Sequence, residues 1–304
     1  MSEVKKIKIN ENISGQRLDN FLINELKGVP KSKIYSIIRK GEIRVNSKRK
    51  KPSYKLHKDD ELRIPPIRTS EIKNLFVPSK IITVLKKAVI YENNDFIAIN
   101  KPEGIASHGG SGISIGVIET IRNFGKSYRD AKLVHRLDKD TSGCQVIAKN
   151  NKFLRNCNKL ISERKVKKNY QAVVHGNWIH KDGIYEINIE KNMLIGKERM
   201  VRISDGGKIA KTFFKVIESS KHFSLIQCEL ITGRTHQLRV HLSELGFPIV
   251  GDKKYGIKEN KFPTSLGHKK RMYLHANSFI SEDLNIHINV KPPKEFKKIL
   301  KNDE

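Results

Sequence analysis

The sequence predicts an α+β protein with two parts, a small basic N-terminal module and a larger domain. Two stretches with apolar residues at helical spacing open the chain, and alternating strand-like runs dominate its later part. The length of 304 residues is enough for two domains with separate cores. The predicted boundaries are residues 1–66 for the module, 67–88 for a linker and 89–304 for the larger domain.

The charge balance indicates a polyanionic partner. The chain holds 60 Lys and Arg against 32 Asp and Glu, a formal net charge of +28. An excess of this size favours nucleic acid, although a lysine-rich proteome with merely solvated surfaces would give the same total. Because the basic residues cluster in the N-terminal module, the specific interpretation is favoured.

The composition also argues against some classes of protein. No stretch reaches the roughly 18 uninterrupted apolar residues of a membrane span, and the first residues lack the apolar core of a signal peptide. Cys144, Cys157 and Cys228 form no CxxC pair, so we expect neither a disulfide framework nor a zinc site, and we expect Cys144 and Cys228 to be buried. The expected compartment is the reducing cytoplasm, without a membrane partner.

Two helices are predicted at the start of the N-terminal module. Apolar residues at positions 18, 21, 22 and 26 follow a helical period, which ends at a glycine and a proline. The second helix runs from Lys31 to Lys40, with Gly41 as its C-terminal cap. Short strands are predicted at 43–45 and 61–64.

The second helix and the loop after it form the most basic stretch of the chain. Positions 31 to 51 hold nine Lys or Arg and one acid, Glu42. A surface this basic would follow the phosphates of an RNA backbone. The predicted RNA-binding residues of the module are Lys31, Lys33, Arg39, Lys40, Arg44, Lys48, Arg49, Lys50 and Lys51.

The module resembles the S4 RNA-binding domain. The matching pattern is Gly15-x-Arg17-Leu18-Asp19, then Ser32, then Ile38-Arg39-x-Gly41-x-Ile43-x-Val45-Asn46. The resemblance implies that the module binds RNA. The alternative is a basic helical hairpin that serves only as a cap.

The chemistry of the protein is expected between Val134 and Gly143. This segment reads Val134-His135-Arg136-Leu137-Asp138-Lys139-Asp140-Thr141-Ser142-Gly143, with a turn predicted at 141–143 and a buried strand after it. A carboxylate on a short loop beside a strand is both held and accessible. Taken alone, the segment would also fit an ordinary charged surface turn.

The segment resembles the signature loop H-R-L-D-x-x-T-S-G of the pseudouridine synthases that act on large-subunit ribosomal RNA, at every fixed position. The resemblance implies that Asp138 is the catalytic carboxylate and that Arg136 fills the stack vacated by a flipped base. It also implies a catalytic domain with a central mixed, mainly antiparallel sheet. The implied activity is the isomerisation of specific uridines to pseudouridine in bacterial 23S rRNA.

A second motif of this class, K-x-Y-x-A-x-V-x-G, is matched from Lys168 to Gly176. A helix is predicted from Lys152 to Lys168, running into a strand that carries the motif. The resemblance implies that Tyr170 is the active-site tyrosine, whose ring would stack on a flipped base. A tyrosine in a strand is otherwise more often part of the core.

A third motif, G-R-T-H-Q-L-R-x-H, is matched from Gly233 to His241 and predicts a turn followed by a helix. The resemblance implies that Arg239 pairs with Asp138, and a guanidinium beside a carboxylate in a closed pocket favours the anion. Arg234 is the alternative partner. The further matches Gly251-Asp252-x-x-Tyr255-Gly256 and Leu274-His275-Ala276 are expected to be structural turns and packing.

The predicted strand 96–100 leads into Lys101-Pro102-Glu103-Gly104, which resembles the N-K-P-x-G entrance segment of the class. Its expected role is structural, with RNA contact by Lys101 or His108 as the alternative. The glycines after His108 lack the Lys-Ser/Thr ending of a P-loop and the spacing of a dinucleotide fingerprint, so no nucleotide cofactor is expected.

The resemblance therefore implies a cofactor-free, metal-free isomerase that acts as a monomer on 23S rRNA or a large-subunit precursor. Segments 28–32 and 39–41 are closely similar to one member of the class that acts on several uridines. An rRNA-binding assembly factor without turnover is the alternative, and the joint presence of Asp138, Tyr170 and Arg239 argues against it. A nucleoside hydrolase fits less well, because the chain invests heavily in RNA binding.

Overall fold

The computed structural model describes residues 4–11, 13–26, 28–67, 76–110, 115–195, 198–257, 271–301 and 303, with side chains undescribed at 191–195, 198 and 199. They form two compact units, Met1–Phe76 and Val77–Glu304. The division falls inside the segment 67–88 that the sequence predicts as a linker. The domain boundaries derived from the sequence stay predictions.

The first unit is a small sheet with two helices. Its described elements are β1 (Lys5–Lys8), α1 (Leu18–Glu25), α2 (Lys31–Lys40), β2 (Arg44–Val45) and β3 (Glu61–Ile64). The strands are antiparallel in the order β1-β3-β2. Both helices and the two strands predicted from the sequence are present, and Gly41 caps α2 in the left-handed conformation with φ of 74°.

Strand β1 was not predicted, because most of its residues are charged and exposed. It lies at the edge of the sheet, where Lys5 is paired with Ile64, so its backbone rather than its side chains holds it in place. An edge strand of this kind shows little of the alternating apolar pattern that marks a half-buried strand.

A buried carboxylate links the two helices of the first unit. Asp19 is 1% exposed and accepts hydrogen bonds from Arg17 Nε at 3.0 Å, from Arg17 Nη2 at 2.6 Å and from the Tyr35 hydroxyl at 3.2 Å. The hydrogen bonds from Arg17 hold the pKa of Asp19 below its usual value, so the anion persists in the core.

The second unit is built on one large sheet. Its described elements are α3 (Ser79–Lys87), β4 (Val89–Glu92), β5 (Phe96–Lys101), α4 (Val117–Ile121), β6 (Lys132–Leu133), β7 (Ser142–Ala148), α5 (Asn151–Ser162), β8 (Lys167–His175), β9 (Gly183–Ile195), β10 (Glu198–Ile203), β11 (Lys208–Ser219), β12 (Phe223–Leu230), α6 (Gln237–Glu244), β13 (Leu274–Ser281), β14 (Ile286–Asn289) and α7 (Glu295–Lys301).

The described strands of the second unit follow the order β10-β9-β11-β12-β8-β13-β7-β5-β4, with β14 beside β13 and β6 beside β7. The pairings are antiparallel except for the parallel pair of β7 and β13. The mixed, mainly antiparallel sheet of an α+β protein is thereby confirmed. Strand β13 lies between β7 and β8, although β7 and β8 are neighbours in sequence.

The turn predicted at 141–143 is wrong, because Ser142 and Gly143 already belong to β7 and the turn lies at Lys139 and Asp140. Gly143 pairs with Ala276 of β13 and has φ of 111°. A Cβ atom at this position would lie 2.2 Å from the carbonyl oxygen of Ala276. Gly143 therefore serves the close approach of two strands rather than a turn.

The helix predicted from Lys152 to Lys168 is too long. Helix α5 ends at Ser162, and Arg164 takes the left-handed conformation with φ of 60°. Strand β8 begins at Lys167, so Lys167 and Lys168 belong to the strand. The basic composition is the same on both sides of this boundary and gives no signal for it.

The core beneath the signature loop joins three elements of the second unit. Leu137 of the loop packs with Tyr170 of β8 and with Leu238 of α6 in one buried cluster. Cys144 and Cys228 are buried, as predicted. Among the described helices, none combines the length and apolar character needed to cross a membrane.

Candidate active site

Ser107 is hydrogen-bonded to the backbone of the signature loop, residues 134–143. Ser107 Oγ donates to the carbonyl oxygen of Leu137 at 2.6 Å and accepts from the Leu137 N–H at 2.9 Å. It also accepts from Gln145 Nε2 on β7 at 3.0 Å. These bonds fix the residue that precedes Asp138.

Lys101 holds the same loop from its other side. Its side chain is fully buried, and Nζ donates to the carbonyl oxygens of Pro102 at 2.9 Å, Ile105 at 2.8 Å and Lys139 at 3.1 Å. Burial lowers the pKa of Lys101 to about 7, and the three carbonyl oxygens accept all three protons of the charged form. Lys101 therefore acts on the loop, and the alternative of direct RNA contact does not fit its burial.

The structure pairs Asp138 with Arg239. Arg239 Nη1 on α6 donates to Asp138 Oδ2 at 3.1 Å, and the Asp138 side chain stays 30% exposed. Arg234 is exposed instead, and its Nε donates to the carbonyl oxygen of Ile209 at 3.1 Å. Of the two arginines that the sequence leaves open as partners, the geometry selects Arg239.

Arg239 is itself held by a second carboxylate, Asp252. Its Nε and Nη2 donate to the two carboxylate oxygens of Asp252, each at 2.7 Å, in a two-pronged ion pair. The backbone N–H groups of Lys254 and Tyr255 donate to Asp252 Oδ1 at 2.8 and 3.1 Å. The guanidinium is thus aimed at Asp138 before any substrate arrives.

Asp252 is the site residue that the sequence interpretation missed, because its motif was expected to be only a turn. It is 2% exposed. Burial alone would raise its pKa, but the hydrogen bonds and charge of Arg239 more than offset burial and hold it below the usual value. The signal available in the sequence was the family match at Gly251-Asp252-x-x-Tyr255-Gly256, which does not by itself show that the aspartate is buried.

A glutamine fixes the start of α6 and thereby the position of Arg239. Gln237 Nε2 donates to the Lys211 carbonyl oxygen at 2.9 Å and to Thr212 Oγ1 at 3.0 Å, both on β11. Gln237 Oε1 accepts from Thr232 Oγ1 and from the Arg234 N–H, each at 2.9 Å. With both ends of its amide bonded, Gln237 ties the helix to the sheet.

Tyr170 belongs to the buried cluster under the loop and is 7% exposed. It pairs with Cys228 of β12 on one side and with Ala276 of β13 on the other. Burial, with the charge of Asp138, raises the pKa of Tyr170 above its usual value, so its hydroxyl stays protonated.

Arg136 projects from the signature loop and is exposed. Its Nη1 donates to His108 Nε2 at 2.9 Å, while His108 Nδ1 is 2.6 Å from the carbonyl oxygen of Gly109. These partners require His108 to carry its proton on Nδ1. The sequence-based expectation that RNA meets Arg136 agrees with this exposed position.

Apart from Arg136, the basic residues predicted to bind RNA lie on the surface of the first unit. All are exposed except Lys50, which is partly buried with its Nζ 4.5 Å from the centre of the Tyr54 ring. Arg44 also donates to the carbonyl oxygens of Gly41 at 3.3 Å and Ser47 at 3.4 Å.

In the described parts of the chain, no group of three or more His, Cys, Asp or Glu is arranged to hold a metal ion.

Comparison with known proteins assigns both units. Residues 95–244 match the family model described as RNA pseudouridylate synthase, and residues 16–62 match the S4 domain. The chain belongs to the RNA pseudouridylate synthase family and carries an S4 domain before its synthase domain.

Relatives with curated names include ribosomal large subunit pseudouridine synthase C of Pasteurella multocida (strain Pm70), 43% identical over 98% of this chain and 93% of that protein. The enzyme of the same name from Escherichia coli (strain K12) is 44% identical over 90% of this chain and 87% of its own length. Among solved structures, human RNA Pseudouridylate Synthase Domain Containing 4 superposes with a TM-score of 0.60 at 26% identity, over 73% of this chain and 95% of that one.

Proposed function

We propose that this protein isomerises uridine to pseudouridine in bacterial large-subunit ribosomal RNA. The observation that carries the proposal is the ion pair between Asp138 and Arg239. Asp138 lies on a partly exposed loop, and Asp252 holds Arg239 in place. Arg239 orients the carboxylate of Asp138, whose side chain is 30% exposed and therefore accessible to a substrate. The named activity of the relatives and the S4 domain support ribosomal RNA as the substrate.

The reaction detaches uracil from C1′ of the ribose and rejoins it through C5, so substrate and product contain the same atoms. The isomerisation therefore consumes no oxidant, reductant or second substrate. Asp138 is proposed to attack C1′, to attack the base, or to take a proton on a glycal route. Whichever route applies, the pocket has to exclude water, because water would capture the ribose and release the base.

The proposed catalytic residues are Asp138, Tyr170 and Arg239. Tyr170 is proposed to stack on the flipped uracil, since its buried ring lies in the cluster that underlies Asp138. Arg136 is proposed to fill the gap that the uridine leaves in its stack, because it is exposed and lies two residues before Asp138. Extracting a base costs a few kcal/mol, and a stacking guanidinium offsets part of it.

The proposed partner is 23S rRNA or a precursor of the large subunit, which the protein meets in the cytoplasm as a monomer, without a cofactor or metal. We also propose that residues 1–66 serve RNA binding, that 67–88 connect, and that 89–304 hold all catalytic groups. The basic surface of the first unit and the location of Asp138, Tyr170 and Arg239 in the second support this division.

The function is tested with purified full-length protein and unmodified 23S rRNA made by transcription. Chemical mapping of pseudouridine before and after incubation should reveal a few discrete converted uridines. The same mapping on rRNA from cells with and without the gene would identify those uridines in vivo. Tight binding without any conversion would support the assembly-factor alternative, which the comparisons do not favour.

The basic loop of the first unit is expected to supply phosphate contacts. Replacing Lys48, Arg49 and Lys51 by alanine should weaken rRNA binding and flatten its salt dependence, because each lost phosphate contact lowers the log–log slope by about 0.7 to 0.9. The single-turnover rate at saturating RNA should stay unchanged, because the proposed catalytic groups lie in the other unit. The measurement is RNA affinity across a series of salt concentrations.

The matched control replaces Lys294, Lys297 and Lys298, which are exposed at and beside α7 of the second unit. This variant loses the same charge, so it corrects for a general loss of attraction to RNA. Equal salt slopes in the two variants would show that the basic loop makes no particular contact with RNA.

A further inference from the structure

His236 occupies an unusual backbone position next to the proposed active site. It immediately precedes α6 with φ of 53° and ψ of 21°, in the left-handed region. Residues other than glycine are uncommon in that region, even though histidine is among the side chains found there more often, and such a conformation costs on the order of 1 kcal/mol or more. The ring of His236 lies between two polar groups of the site.

One of those groups is the hydroxyl of Tyr255, whose oxygen is 2.8 Å from His236 Nδ1. The same oxygen accepts a hydrogen bond from the backbone N–H of Val201 at 3.1 Å. The N–H of Val201 can only donate, which leaves the phenolic proton of Tyr255 available to His236. The ring of Tyr255 also lies 5.1 Å from the guanidinium carbon of Arg239, so it is packed in a fixed orientation.

The other group is Asp138, since His236 Nε2 is 3.8 Å from Asp138 Oδ2. If His236 donated from Nδ1 to Tyr255, the lone pair of Nε2 would face this carboxylate and be repelled. If Tyr255 donates to Nδ1, the proton of His236 sits on Nε2 and points at the anion. The second arrangement satisfies both neighbours, so it is the favoured tautomer.

Burial also keeps the ring neutral, because it lowers the pKa of His236 below the usual 6.5. The charged groups that face it are the carboxylates Asp138 and Asp252, which oppose this effect, and the cations Arg239 and Lys254, which add to it. Tyr255 fixes which nitrogen carries the single proton.

We propose that His236, oriented by Tyr255, is a positioning residue that presents a neutral Nε2–H to Asp138 Oδ2. Arg239 Nη1 donates to the same oxygen, so the two donors hold Oδ2 and leave Oδ1 as the atom that meets the substrate. At 3.8 Å the Nε2 contact is longer than a hydrogen bond, and we expect it to shorten when a uridine binds. This inference rests on the proposed function and adds the identity of the reacting oxygen.

The first test is nitrogen NMR of His236 in the full-length protein at pH 7, since the two tautomers give distinct ring-nitrogen shifts. The wild type should show a neutral ring protonated on Nε2. Tyr255→Phe keeps the aromatic ring beside Arg239 but removes the proton donor, so the tautomers should mix. A ring protonated on Nδ1, or a doubly protonated ring, in the wild type would overturn the proposal.

The second test compares two substitutions of His236 by kcat and KM on an rRNA fragment. Glutamine carries its amide nitrogen at about the reach of Nε2, whereas asparagine reaches only as far as Nδ1 and tolerates the left-handed backbone better. His236→Asn should lower kcat about 10- to 100-fold with KM unchanged, by analogy with groups that orient the ligands of a metal ion. His236→Gln should retain most of kcat despite the poorer backbone fit.

Equal kcat for the two variants, or a change confined to KM, would overturn the positioning role. Backbone strain alone predicts the opposite order, because asparagine suits the left-handed region better than glutamine. If the wild type converts no uridine, the proposed function fails, while the tautomer measurement still decides whether His236 faces Asp138 as a donor.

Discussion

Asp138→Asn is expected to remove turnover while RNA binding persists. The substitution keeps the shape of the side chain and removes the anion that every route for the isomerisation requires. Loss of such a group typically costs at least about 10⁴-fold in rate. The rate is measured under single-turnover conditions on unmodified 23S rRNA, and binding is measured by filter retention of the same RNA.

The matched control is Asp140→Asn, which removes the same charge from an exposed residue of the same loop. It should convert uridine at nearly the wild-type rate, because Arg239 is directed at Asp138. A wild-type rate for Asp138→Asn would contradict the assignment of the catalytic carboxylate.

Arg239→Met is expected to damage both folding and catalysis. It leaves Asp252 as a buried carboxylate without its ion-pair partner, and breaking a buried pair in this way costs about 3–5 kcal/mol in the free energy of unfolding. It also frees Asp138 from the guanidinium that orients it. Denaturant unfolding measures the first effect, and the single-turnover rate below the unfolding transition measures the second.

The double variant Arg239→Met with Asp252→Asn separates the two effects. Because it removes the unpaired buried charge, it should recover much of the lost stability. Its rate should stay low, since Asp138 still lacks its partner. A double variant that recovers the rate along with the stability would show that Arg239 supports the fold alone.

The parts of the fold that local pattern specifies were predictable from the sequence. Helix α2 and its cap Gly41 follow from apolar spacing and a glycine at the point where the period stops. The strands at 61–64 and 96–100 follow from their own alternating or apolar runs. In these segments, burial and the residue pattern carry the same information.

The remaining features depend on contacts between distant residues. The bond between Arg239 and Asp138 joins residues 101 positions apart, and the choice of Arg239 over Arg234 follows from how α6 docks on the sheet. The second bond, from Arg239 to Asp252, ties a segment that looks like an ordinary turn to the residue that is bonded to Asp138. The local pattern around each residue contains no record of these partners.

The order of strands in the large sheet also determines the order in which the two units can fold during translation. Strand β13 begins at Leu274 and lies between β7 and β8, so neither of them can pair with β13 until translation has passed that point. Pairings this remote in sequence make folding slow, because a long loop has to close before they form. A nascent chain that has not yet reached Ser281 can fold its first unit, but the large sheet of its second unit still lacks β13. We therefore expect newly made molecules to complete the S4 domain well before the synthase domain.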